Sequence, residues 1–222
     1  MKTAVIVFPG SNCDRDMAVA LEAATGKKPD MIWHAETELP KGLDLVALPG
    51  GFSYGDYLRC GAIANFANIM PAIKQFAGGG GYVMGICNGF QILVESGLLP
   101  GALMRNRSLK FVCRDVELTV DNTDTPFTKA CKPGQTLRVP VAHHDGNYYI
   151  DPETHKKMKD NGQIVFRYKG ESPNGALDNI AGIVNEKKNI LGMMPHPERL
   201  ADPMLGGTDG KFIFNSILSQ FA

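Results

Sequence analysis

The chain has no Cys-x-x-Cys pair, no apolar run near the roughly 20 residues of a membrane-spanning helix, and no block of like charge. Each lack excludes a class of protein. Five cysteines, Cys13, Cys60, Cys87, Cys113 and Cys131, are odd in number and unpaired in spacing, which argues against a disulfide framework and against a zinc site. Lys plus Arg and Asp plus Glu both number 23, so no net field draws nucleic acid or an anionic membrane. There is no Gly-x-x-x-x-Gly-Lys-Ser/Thr loop, no Gly-x-Gly-x-x-Gly after a strand and no His-Glu-x-x-His. The chemistry therefore reads as metal-free and cofactor-free. Met1 to Phe8 reads as a first strand rather than a signal peptide, so a cytoplasmic location is expected. The 222 residues suffice for one substantial core, and the expectation is a single domain over 1–222.

What is present alternates. Apolar runs at Ala4–Phe8, Met31–Trp33, Leu45–Leu48 and Tyr82–Ile86 are separated or followed by helical stretches at Asp14–Ala24, Arg59–Phe76 and Phe90–Ser96. That order predicts an α/β fold, an open, mostly parallel sheet with helices on both faces. From Leu109 onward the texture is β-prone, at Phe111–Val120, Thr136–Val141, Ile164–Tyr168, Ala181–Asn185 and Ile190–Met194, predicting an antiparallel extension or mixed edge. A last helix is expected over about Gly210–Phe221. Gly78 to Gly81, between a helix and a strand, reads as a helix end and turn rather than a linker or phosphate loop.

The densest chemical signal is Gly85-Ile86-Cys87-Asn88-Gly89, which joins a strand to a helix. A nucleophile on such an elbow is held in strained backbone between glycines, with its side chain exposed at the sheet end. The helix starting near Asn88 aims unpaired N–H groups at the sulfur, which favours the thiolate. Downstream, Pro195-His196-Pro197-Glu198 reads as an extended segment that places His196 and Glu198 on one face, the carboxylate orienting the imidazole. Singly, a cysteine in a turn is an ordinary packed thiol and a Pro-rich histidine segment an ordinary loop. Together, in this order, they compose a Cys-His-Glu triad for acyl transfer. The Pro49-Gly50-Gly51 turn falls at the same sheet edge, and its N–H groups with that of Asn88 form a candidate oxyanion hole.

Gly-x-Cys-x-Gly followed by Gln91, a Pro-Gly-Gly turn and a late Pro-His-Pro-Glu resemble the triad-type (class I) glutamine amidotransferases, a flavodoxin-like fold. Pro9-Gly10-Ser11-Asn12-Cys13-Asp14, Phe52-Ser53-Tyr54-Gly55-Asp56, Leu99-Pro100-Gly101 and Gly192 to Arg199 are similar to the glutaminase-subunit family of phosphoribosylformylglycinamidine synthases, over nearly the whole chain. The resemblance implies Cys87 as the nucleophile that forms a γ-glutamyl thioester, His196 and Glu198 as its triad partners, Gly51 and Asn88 as oxyanion donors, and Gln91 as a contact to substrate glutamine. It also implies a role in purine biosynthesis, an ATP- and Mg-using synthetase (large) subunit that receives the ammonia, and a small third subunit. By itself Gln91 reads equally as a surface helix residue. Where the family has His-Gly-Glu-Gly this chain has His143-His144-Asp145-Gly146, a loop, a partner contact or, with a third ligand, a metal position.

Two other readings remain. A stand-alone cysteine hydrolase of the intracellular-protease-like superfamily shares the elbow, but there a histidine tends to follow the cysteine, where Asn88 stands here. A non-catalytic thiol-sensing module needs no orienting carboxylate, which His196-x-Glu198 supplies.

Overall fold

The computed structural model describes residues 1–221. Eleven strands are β1 (Thr3–Val7), β2 (Asp30–Trp33), β3 (Leu45–Leu48), β4 (Tyr82–Ile86), β5 (Ala102–Met104), β6 (Val112–Val120), β7 (Thr136–His143), β8 (Asn147–Tyr149), β9 (Ile164–Tyr168), β10 (Ile180–Val184) and β11 (Ile190–Met193). Five α-helices are α1 (Asp14–Thr25), α2 (Met70–Gly78), α3 (Asn88–Glu95), α4 (Pro152–Asp160) and α5 (Lys211–Leu218). Nine strands form one sheet in the order β2-β1-β3-β4-β11-β10-β9-β6-β7, while β5 and β8 pair separately. From β2 to β11 neighbours run parallel; from β11 to β7 they run antiparallel.

The parallel strands are Val-, Ile- and Leu-rich because both faces are covered: Leu45 to Leu48, Val83, Met84 and Leu191 are fully buried. The chain leaves β1 in one direction to reach β2 and crosses to the other side for β3. That reversal opens a crevice at the carboxyl ends of the strands. Parallel pairing also brings the ends of β1, β3, β4 and β11 to one edge, so the loops at Pro9, Pro49, Cys87 and Pro195 converge although they span most of the chain.

The mixed architecture agrees with the sequence expectation, and four details differ. β11 is not confined to the antiparallel extension; it pairs parallel with β4 as well as antiparallel with β10, and so joins the two halves. The stretch Arg59–Phe76 is not one helix. Leu58 and Gly61 sit at φ 67° and 80°, a 3-10 turn covers Ala64–Phe66, and α2 begins only at Met70 with Pro71 in its first turn. α4 and the β5–β8 pair were not expected. The last helix stops at Leu218 and continues as a 3-10 turn over Ser219–Phe221. Gly78 to Gly81 does form a helix end, with Gly79, Gly80 and Gly81 N–H groups returning to Gln75, Ala77 and Phe76 carbonyls.

Candidate active site

Cys87 lies between β4 and α3 with φ 52° and ψ −104°, backbone that costs an L-residue on the order of 1–3 kcal/mol. Three contacts hold it there. Its N–H donates to Met193 O at 2.8 Å, tying the elbow to β11, its carbonyl accepts from Gln91 N at 3.1 Å, and its Sγ stands 3.7 Å from Ala142 O. α3 is buried from Asn88 to Val94, so its first turn is driven into the sheet edge. At Gly89 a Cβ would collide with Leu48 O, which is why glycine follows the elbow.

His196 and Glu198 follow β11. Their Nδ1 and Oε1 atoms are 2.6 Å apart, and the residues are 1% and 3% exposed. The segment is not extended as expected. Pro197 presets the φ of a 3-10 turn, Pro197–Leu200, and that turn swings Glu198 back onto the imidazole. His196 N–H donates to Pro140 O at 2.8 Å, which fixes the segment to β7. Burial opposes the imidazolium, but the Glu198 carboxylate and the Cys87 thiolate outweigh it and push the His196 pKa up to about 10. Nε2 has no hydrogen-bond partner among the described residues, which leaves it free for the thiol and for a reacting group.

Gly51 adopts φ 137°, and a Cβ there would stand 2.6 Å from Asn12 N. The loop after β1 anchors this turn: Cys13 N donates to Gly50 O (3.3 Å), Phe52 N to Gly10 O (2.9 Å) and Tyr54 N to Pro9 O (2.7 Å). Neither Gly51 N–H nor Asn88 N–H has a partner among the described residues, as donors reserved for an oxyanion require. The buried Asn88 side chain adds a clamp that sequence reading missed. Its Oδ1 accepts from Ser53 N (3.1 Å), and its Nδ2 donates to Gln91 Oε1 (2.9 Å) and Asp56 Oδ1 (3.3 Å).

Gln91 is 5% exposed, which removes the surface reading; its Nε2 donates to Asp145 O at 2.6 Å. It therefore links the elbow helix to the His143–Gly146 loop. Beside it a cavity of about 510 Å³ is lined by Asp56, Arg59, Cys60, Arg105, His144 and Asp145. Burial raises the Asp56 carboxyl, opposed by its hydrogen bond to Cys60. A larger cavity, about 840 Å³ around Lys41, Gly80 and Phe221, lies at the opposite edge of the sheet, remote from the thiol. Size is a poorer guide here than chemistry.

The adjacent histidines part company. His143 is buried, its Nδ1 3.1 Å from Asn106 Oδ1 and its Nε2 3.4 Å from Asn174 Nδ2, and burial with the nearby His196 charge pushes it down to about 4. His144 stays half-buried, 3.6 Å from Asp145. The other cysteines are free but not uniformly packed: Cys113 is exposed and Cys60 half-buried, with its Sγ 3.4 Å from Asp145. Cys13 is buried beside the dyad. Its Sγ accepts from Arg199 Nη2 at 2.9 Å, and desolvation pushes its thiol up to about 12. Cys13, His196 and Glu198 offer donor atoms within 4.8 Å of one another, a grouping of metal-ligand type that no sequence spacing signals.

Residues 1–206 match the family described as a CobB/CobQ-like glutamine amidotransferase domain. Over 219 residues the chain is 58% identical to phosphoribosylformylglycinamidine synthase subunit PurQ of Brucella suis biovar 1, covering 98% of each chain. A protein with the same description from Rhodopseudomonas palustris strain BisB18 is 55% identical over 230 residues, covering 100% of this chain and 99% of its own. Among solved structures, a chain of "PurLQS from Thermotoga maritima" superposes with a TM-score of 0.91 at 46% identity, covering 100% of this chain and 99% of that one.

Proposed function

The chain belongs to the CobB/CobQ-like glutamine amidotransferase family, and from that premise we propose that it is the glutaminase subunit of a phosphoribosylformylglycinamidine synthase. Cys87 attacks the side-chain amide carbon of glutamine, and the tetrahedral oxygen is stabilised by the N–H groups of Gly51 and Asn88. His196 gives its Nε2 proton to the leaving nitrogen, ammonia departs, and a γ-glutamyl thioester remains on Cys87. Water then loses a proton to His196 as it adds to the thioester, and glutamate leaves with the thiolate restored. Glu198 holds the imidazole tautomer throughout. Gln91 supports the wall beside the elbow, where the 510 Å³ cavity is large enough for a free amino acid.

The observation that carries the reading is the 2.6 Å His196–Glu198 pair brought from β11 to the strained Cys87 elbow. The electrophile for the ammonia must lie on another chain, since this one has no nucleotide loop. That partner is an ATP- and Mg-dependent synthetase subunit that converts formylglycinamide ribonucleotide to formylglycinamidine ribonucleotide in the cytoplasm during purine biosynthesis, with a small third subunit completing the complex. Two features support control by the partner. The thiol is only 4% exposed, and the adjoining loop presents Tyr57 and Leu58, 73% and 93% exposed, from backbone at positive φ around Tyr54, Asp56 and Leu58. Residues 1–222 act as one domain, docked through that face.

A glutamine-analogue chloroketone should label Cys87 alone, and glutamine should block it; labelling elsewhere would displace Cys87 as nucleophile. In the reconstituted complex Cys87→Ser should lose glutamine-dependent amidine formation and retain the reaction fed with ammonium salts. Equal loss of both would refute the division of labour.

A further inference from the structure

Cys13 comes from the loop after β1, far in sequence from the dyad, yet its sulfur comes to lie close to the imidazole. A point one Cβ bond above Gly50 lies 3.3 Å from Cys13 Sγ, 2.6 Å from His196 Cε1 and 3.4 Å from His196 Nδ1. The sulfur and the Cε1–Nδ1 edge of the ring thus lie against the same point, and Nδ1 is the ring nitrogen that bonds Glu198. All three residues are buried, and their donor atoms lie within 4.8 Å of one another. One carboxylate oxygen, Glu198 Oε2, has no hydrogen-bond partner among the described residues despite its burial. A buried acceptor with nothing to accept is an independent sign of a missing donor or cation.

Thiolate, imidazole and carboxylate together make the donor set of a tetrahedral zinc site, with bonds of about 2.0–2.3 Å and donors therefore roughly 3.3–3.8 Å apart. A shift of up to about 1.5 Å, most of it from the Cys13 side-chain torsion, brings the sulfur to that distance, while His196 Nδ1 and Glu198 Oε1, now 2.6 Å apart, open to admit the ion. We propose that Cys13 Sγ, His196 Nδ1 and Glu198 form an inhibitory binding site for a thiophilic divalent cation of the zinc type, seated between the imidazole and its orienting carboxylate.

The binding step balances without any change of oxidation state. The metal replaces the proton on Nδ1 and the proton on the Cys13 thiol, so two protons leave for each ion bound to the imidazolium form. One thiolate and one carboxylate then neutralise the divalent charge. Arg199 Nη2 must release the sulfur, and its Nε remains held by Asp16 at 3.1 Å. With metal on Nδ1 the remaining ring proton sits on Nε2, so the nitrogen facing Cys87 becomes a donor only. An imidazole in that state cannot activate water, and Glu198 no longer orients it. The cation would act as a brake on the same triad, which is where this inference rests on the proposed function; the binding itself does not.

The test is an anaerobic titration of the reduced full chain with cobalt, a spectroscopic stand-in for zinc. One ion per chain should give a thiolate-to-metal charge-transfer band with the visible bands of tetrahedral cobalt, in wild type and in Cys87→Ala alike. Cys13→Ser should lose the charge-transfer band and bind at least ~10-fold more weakly. A band that survives Cys13→Ser, one that vanishes in Cys87→Ala, or no binding at all would overturn the site. In the assembled enzyme, Cys13→Ser should keep its metal-free glutaminase rate and need at least ~10-fold more zinc for half inhibition; unchanged zinc sensitivity would overturn the inhibitory role. Should the variant fold poorly, zinc X-ray absorption on the wild-type chain decides: one sulfur in the coordination shell supports the proposal, and none or two overturn it. Because cobalt binding needs no turnover, its failure is distinguishable from failure of the glutaminase reading.

Discussion

The parallel half of the sheet and its antiparallel extension each deliver one buried histidine, and the two are driven in opposite directions. His196, after the parallel strand β11, is pushed up to about 10; His143, at the end of the antiparallel strand β7, is pushed down to about 4. Burial alone disfavours the charged ring in both. The difference is a carboxylate: Glu198 stands 2.6 Å from His196, whereas His143 meets only the amides of Asn106 and Asn174. One half therefore holds a ring poised to carry charge, and the other uses a ring as a neutral strut. The strut still matters, because Asn106 Oδ1 also accepts from Gly146 N (3.1 Å) and so fixes the loop whose Asp145 carbonyl receives Gln91.

The sharpest way to break this contrast is to remove each histidine. Cys87→Ala and His196→Ala should each lower glutamine hydrolysis by at least ~10⁴-fold, with a small residue left in Glu198→Gln. His143→Gln should stay within about 10-fold of wild type, a change that a displaced loop can cause without removing a catalytic group. Ammonia release in the assembled complex measures all four, and near-normal turnover by His196→Ala would remove the triad from the account.

Smaller, and confined to the parallel edge, is the effect of Gly51→Val. The lost oxyanion donor or the resulting backbone clash should cost ~100-fold or more in hydrolysis while the melting temperature holds. Unchanged kinetics and melting together would reduce Pro49-Gly50-Gly51 to a plain turn.

The antiparallel half is tested through pH. His143 has a folded pKa of about 4 against an ordinary 6.5, so the unfolded chain binds the proton first as pH falls. Its contribution is complete above pH 6.5 and is lost as pH drops toward 4, a difference on the order of 3 kcal/mol. His196 behaves oppositely: its folded pKa is raised, so its contribution is complete below pH 6.5 and is lost as pH rises through about 10. Denaturant midpoints between pH 4 and 7 should therefore flatten in His143→Gln and keep their slope in His196→Ala. The same slope in both would erase the distinction. Smallest of all, Gln91→Met should raise KM for glutamine by a few-fold, roughly the value of one buried hydrogen bond, with kcat little changed.

Several of these residues were legible because their signals are local. Cys87 sits in a five-residue pattern that dictates an elbow, and the buried strands announce themselves through unbroken apolar runs. α4 also carried a start signal, Asp151 capping the N–H groups of Glu153 and Thr154 with Pro152 behind it. Its charged sequence buries only Met158, so apolar periodicity gave nothing to read. Arg59–Phe76 failed in the other direction. Its composition suits a helix, but positive φ at Leu58 and Gly61 serves a loop that must fold under α3, a demand made by the neighbour and not by the segment.

The sequence by itself determined the alternation of strands and helices, the glycine-flanked elbow that carries Cys87 and the Pro-rich segment that carries His196 and Glu198, since each depends on residues adjacent in the chain. Tertiary structure alone decided that β11 runs parallel beside β4, that Pro197 turns Glu198 back onto His196, that Asn88 clamps Ser53, and that Cys13 comes to rest beside the dyad. Those facts depend on which strands become neighbours, and strand order follows from burying both faces of the whole sheet at once. No short stretch of sequence encodes that.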